Sequence, residues 1–267
     1  MKQEFQCSHI LLRYHVLSEF HKPIWPIIKP ILLTLLRCVF AIYLIVFMTI
    51  SIAWDHKSPR WLTFATSWNY ILVLLYFVYA FFISVFLPSK DEPSVSMSAL
   101  QNGNSIDIED SRRIGDNLPI SVKIFWVFFN IALTLCTSVV LIYWVLLHDY
   151  NTNLKADLDT YLNFDRHGIN LVLLIIDFWF HHIPLRFLHF VYPLLVSLIY
   201  LVFNVVYWAI TDELIYSAID WDNDLGMAIG YSIGNLVLII IAHFLWYWIN
   251  QGKRKIRKAQ QEAHYVA

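Results

Sequence analysis

HGINLVLLIIDFWFHH, residues 167–182, has the apolarity of a membrane helix, yet it carries His167, Asn170, Asp177, His181 and His182. Charge in hydrocarbon is costly, so such groups need partners or a task. Side chains on a helix follow one another at about 100°. On that projection His167, Asn170, Leu174, Asp177 and His181 share one side, whereas Phe178, Phe180 and Ile183 point elsewhere. The polar groups form a stripe expected to face a bundle interior, with His182 left at the interface.

The remainder of the chain supplies such a bundle. Hydrophobic residues make up 58% of the sequence and charged ones 15%, against about a quarter charged in soluble domains. A bilayer core of about 30 Å needs about 20 mostly apolar residues per helix. Six stretches qualify, at roughly 30–54, 61–87, 119–148, 168–185, 186–210 and 226–250. Pro184 and Arg186 separate the fourth from the fifth with almost no loop, which predicts a helical hairpin. The expected fold is all-α, a polytopic bundle of six transmembrane helices over residues 30–250. A leader (1–29) precedes it, a basic tail (251–267) follows, and the loop 88–118 has the polar composition of a solvated tether.

Residues 1–24 lack the apolar core and cleavage site of a signal peptide, which predicts a retained, membrane-skimming leader. Lysine and arginine placement sets orientation. With both termini cytoplasmic, the inside gathers the tail GKRKIRK and most other cations, and the outside receives Lys57, Arg60, Lys155 and Arg166. These cations lie beside a membrane helix without a base-stacking platform, which argues against nucleic acid as a partner. Cys7, Cys38 and Cys136 make no disulfide framework and are expected to be reduced.

Outside the helices, NTNLKADLDTYLNFDRHG (151–168) alternates like a short amphipathic helix lying on the membrane. The acidic loop TDELIYSAIDWDND (211–224) has apolar residues suited to folding back on the bilayer. Loop 211–225 is the candidate surface for a protein partner. Gly226, Gly230 and Gly234 recur every fourth residue, a spacing that permits close helix approach either within the bundle or across a homodimer.

Other spans carry polar stripes too: Thr63, Thr66, Asn69 and Tyr70 in the second, Arg186, His189, Ser197, Tyr200 and Asn204 in the fifth, Ser232, Asn235 and His243 in the sixth. Thr66, Asn170 and Asn235 are expected in the outer half, Asp177 near the midplane, and His181, His189 and His243 toward the cytoplasm. Three readings stand open. Asp177 pairs with a histidine and the stripes bind the helices together. Alternatively Asp177, His181, His189 and His243 hold zinc, the one cofactor the residues suggest. Or Thr66 acts as a nucleophile with His167 as base. A lipid ligand among Asn69, Asp177, Asn204 and Asn235 is a further expectation.

RWLTFATSWNYIL (60–72), HGIN (167–170), Asp177, PLRFLHFVYP (184–193) and IYSAIDW (215–221) together resemble the rolling stone family of multi-pass membrane proteins. The resemblance implies a non-enzymatic cell-surface role in cell–cell fusion or differentiation, at the plasma membrane in preference to the endoplasmic reticulum. More distantly, the pattern is similar to the androgen-induced membrane threonine hydrolases, which implies an intramembrane lipid-ester hydrolase with Thr66 as nucleophile. Their His-Gly-x-His motif reads here His167-Gly168-Ile169-Asn170. An amide does not accept a proton at neutral pH, so Asn170 orients but does not activate.

Overall fold

The computed structural model describes residues 12, 17–54, 59–87, 118–148 and 157–266, with 261–266 as backbone alone. Cys7 and most of the 88–118 loop lie outside these residues. The described chain is helical, with a single isolated bridge between Pro23 and His181. Helix α1 is Pro30–Trp54 and α2 is Ala65–Phe86, the latter entered through a 3-10 turn at Pro59–Thr63. Helix α3, Ile120–Ile142, ends in a π turn at Tyr143–Leu147. Helix α4 runs as Leu158–Phe164, a π turn at Asp165–Ile169, and Asn170–Phe180. Helix α5, Val191–Thr211, follows a 3-10 turn at Phe187–Phe190, and α6 is Leu225–Val266.

Among the described residues, five helical runs are long and apolar enough to cross a membrane: Pro30–Trp54, Ala65–Phe86, Ile120–Leu147, Phe187–Thr211 and Leu225–Gln260. The sixth, α4, differs from its sequence reading. It ends at Phe180 rather than 185, and 181–186 is extended, so the expected tight hairpin is a crossing segment instead. At its other end the helix starts at Leu158, where Asp157 accepts a hydrogen bond from the Thr160 amide at 3.0 Å. Residues 158–164 therefore continue the helix rather than lying on the membrane. Tyr161 packs at a tilt against Phe47 of α1, and Asp165 is fully buried between two tyrosines, which fixes this turn against α1 and α2.

The burial pattern suits a lipid solvent. Val39, Phe86, Val202, Ile210 and Trp248 are exposed, while Arg37, Asn130, Asp165, Asp177 and His181 are completely buried. With no water to satisfy them, polar groups in such a bundle must turn inward and pair. Trp126, Phe125 and Phe129 of α3 sit at the centre, packed on Tyr76, Phe20 and His181.

Over its described part the leader packs into the bundle. Phe20 and Ile24 are fully buried, and the Ile24 amide donates to the Phe180 carbonyl at 2.8 Å. Glu19 pairs with Arg254 of α6 at 2.8 Å. This segment closes the end of the bundle where Lys253 and Arg254 of α6 lie; the described residues 59–64 and 212–224 lie at the opposite, distal end.

Candidate functional site

The first buried cluster is built around Asp177. Arg37 of α1 approaches it side-on, Nε to Oδ1 at 2.9 Å and NH2 to Oδ2 at 3.5 Å, and its NH1 donates to Ser84 at 2.7 Å. The Tyr76 hydroxyl donates to Oδ2. His181, one turn along α4, holds its Nε2 3.8 Å from the same carboxylate, while its Nδ1 accepts from the Ile183 amide at 3.1 Å. The partner of Asp177 is thus an arginine, not the histidine expected from the stripe. Two opposite charges that are both fully buried hold each other in place, and removing one strands the other.

Lys253 lies just beyond. It is 1% exposed, sits over the Phe178 ring, and donates to the carbonyls of Phe178 and, at 3.1 Å, His181. These are carbonyls at the C-terminal end of α4, where a cation is favoured by both hydrogen bonding and the helix dipole. Lys253, read from sequence as part of an exposed tail, is an internal helix cap.

The remaining metal candidates lie apart from this cluster. His189 packs edge-on against Trp126. The His243 Nε2 faces the Arg186 carbonyl at 3.0 Å, and its Nδ1 faces Thr134 at 3.4 Å. No group of three or more His, Cys, Asp or Glu side chains placed to hold a metal occurs among the described residues.

The second site is a cavity of about 500 Å³ near the distal end, walled by the start of α2, the end of α3, and α5 and α6, with Tyr216, Ala218 and Ile219 as its roof. Of the three residues expected together in the outer half, Thr66 and Asn235 line it and Asn170 does not; Asn204 of α5 lines it as well. Asn235 accepts from Ser138 at 3.0 Å and donates to Ser197 at 3.2 Å. A side chamber of about 50 Å³ shares Ala65, Ser197, Tyr200 and Asn235 and is also lined by Asn69. Gly230 and Gly234 line the main cavity, and a Cβ added at either would meet nothing within 4 Å. The glycines thus leave space on α6 instead of seating a neighbouring helix of the bundle.

His167 stands behind this wall. Its ring lies flat on Tyr143, centroids 3.5 Å apart and planes 6° from parallel, and it is Tyr143 that faces the cavity. Asn170 is fully buried, and its amide donates to the Arg166 carbonyl at 3.0 Å while its oxygen receives the Leu171 amide. It serves the irregular π turn of its own helix, where the i+5 pattern leaves carbonyls to be satisfied. Thr66, His167 and Asn170 therefore do not form one constellation.

The distal loop is anchored to the helix ends. Tyr216 accepts from the Ala65 amide at 2.9 Å at the start of α2, and the Trp221 indole donates to Asn204 at 2.9 Å. Burial raises the Tyr216 pKa above its ordinary value, so the phenol stays neutral. Asp212 ends α5 in the left-handed region (φ 59°), one of the few roles an aspartate fills there. Asp220 accepts from the amides of Asp222 and Asn223 at 3.0 and 2.8 Å. Those bonds from Asn223 and Asp222 hold its carboxyl below the usual range. A depressed folded-state pKa stabilises the loop above the unfolded pKa of about 3.9 and loses that contribution as pH falls through the folded value. Asp220→Ala is expected to speed amide hydrogen exchange at 222 and 223 at neutral pH; unchanged exchange would show that the turn holds itself.

Residues 1–264 match a family model described as Protein rolling stone. A Drosophila melanogaster protein named Protein rolling stone is 29% identical over 145 residues, 52% of this chain and 51% of that protein. The chain spans about half the length of the curated relative it matches. No solved structure matches it significantly.

Proposed function

Because the chain belongs to the rolling stone family, whose model covers it nearly end to end, we propose that it works at the plasma membrane without ester hydrolysis, in contact between cells during fusion or differentiation. Its termini face the cytoplasm and its distal loops face outward, as the placement of lysine and arginine favours. The observation that carries the non-hydrolytic reading is the isolation of Thr66. A threonine hydroxyl needs a base within hydrogen-bond reach to act as a nucleophile. Among the described residues no Asp, Glu, His, Lys or Arg side chain lines its cavity, and the imidazole the sequence offers is stacked behind Tyr143.

Purified protein is expected to resist a fluorophosphonate probe and to leave acyl esters intact, with Thr66→Ala and His167→Ala indistinguishable from the unaltered chain. Labelling that depends on Thr66 would overturn the reading in favour of a threonine lipid-ester hydrolase. The outward surface is the loop 211–225, held rigid by Tyr216 and Trp221. Replacing 213–223 with a glycine–serine linker should abolish a cell–cell phenotype while leaving delivery to the surface intact.

A further inference from the structure

We propose that the distal cavity binds a single-chain, uncharged amphiphile that enters sideways from the bilayer and seats a hydroxyl- and carbonyl-bearing head against Thr66, Ser197 and Asn69. Its volume, about 500 Å³, falls in the range of about 300–1,000 Å³ typical of small-molecule sites.

The wall chemistry selects the head. Among the described residues its polar lining consists of hydroxyls and amides, with no carboxylate, imidazole or cation. A charged head would sit in hydrocarbon-depth surroundings without a counter-charge, which is strongly disfavoured. Hydrogen-bonding capacity is also left unused there. The Thr66 hydroxyl has no hydrogen-bond partner among the described residues, and Ser197 accepts from Asn235 while its own proton has no acceptor among them. Asn69 is 2% exposed, and its side-chain oxygen and nitrogen have only the Cys136 thiol, a weak partner, beside them among the described residues. A buried amide left in that state is costly unless something else satisfies it. Asn69 faces the side chamber, which adjoins the main cavity and shares Ser197 and Asn235 with it.

The geometry also selects the route. Tyr216, Ala218 and Ile219 roof the distal end, and the wall turns outward through Leu146, Leu147, Val237 and Ile241. Those four side chains are 57%, 40%, 48% and 57% exposed on the lateral surface. They frame an opening between the π turn of α3 and α6, which the missing Cβ atoms of Gly230 and Gly234 widen. An acyl tail leaving by this gap passes from apolar wall into lipid without crossing water.

The test uses the full chain in phosphatidylcholine nanodiscs and a monoacylglycerol bearing a mid-chain diazirine, with the free fatty acid and the lysophosphatidate of the same tail as charged counterparts. The neutral probe should label peptides at 143–147 and 234–241 saturably, and each charged probe at least about tenfold less. Gly234→Phe fills open space and should cut neutral labelling about tenfold or more, whereas Gly226→Phe, on the same face but outside the cavity, should not. Charged probes labelling as well as the neutral one, or labelling that survives Gly234→Phe, would overturn the proposal. The outcome is independent of whether Thr66 reacts, since an intact adduct and a cleaved one are distinguished by mass.

Discussion

Asp177→Leu is expected to destabilise the bundle by about 3–5 kcal/mol, the cost of breaking a buried ion pair by removing one partner. It would leave the Arg37 guanidinium, fully buried, facing hydrocarbon with Ser84 as its remaining hydrogen-bond partner among the described contacts. The Tyr76 hydroxyl would lose its acceptor as well. Arg37→Leu should cost a comparable amount, because Asp177 would keep its tyrosine but lose its charge partner. The double variant should be much less damaged than the sum of the two, since an apolar pair replaces a charged one without stranding either member. Thermal unfolding of the detergent-solubilised protein, read for the two single variants and the double, measures this directly. Additive losses would mean that each residue contributes through separate packing rather than through the pair.

Lys253→Met carries the second largest expected effect, a loss of about 1.5–3 kcal/mol, the range for hydrogen bonds made by a charged group. The substitution keeps an unbranched side chain over Phe178 but withdraws the donors from the Phe178 and His181 carbonyls. Both carbonyls sit at the end of α4 where no further helical amide follows, and the same stretch receives the leader through Ile24 and Phe180. The expected signs are a lower melting temperature and faster proteolysis between residues 17 and 29. A melting temperature equal to that of the unaltered chain would show that water replaces the ammonium without penalty.

Much of this organisation is legible in the sequence, and its limits have physical causes. Apolar length reports the helices, and the 100° projection with depth reports that Asp177 and His181 share a buried face and that Thr66 and Asn235 lie near one another. What it misses is pairing between helices. Arg37 stands alone in PILLTLLRCVF, and local periodicity says nothing about a carboxylate 140 positions away. The usable signal was simpler: an arginine and an aspartate, each within an apolar run, require one another. The His167–Asn170 alignment fails for another reason. The π turn at Asp165–Ile169 changes the number of residues per turn, so a projection at constant angle places His167 wrongly. Lys253 was hidden by its neighbours, because GKRKIRK reads as a solvated run although one of its members points inward.

The closure at the terminal end bears on the order in which the chain is made. Glu19 and Ile24 are made before their partners, which are Arg254 and Phe180, and Arg254 lies 235 positions after Glu19. Until α6 has been synthesised and inserted, the Glu19 carboxylate has no Arg254 to meet and the α4 carbonyls have no Lys253. Helix α6 therefore completes the packing of a segment made well before it. A polypeptide halted before α6 lacks the partners that close that end of the bundle.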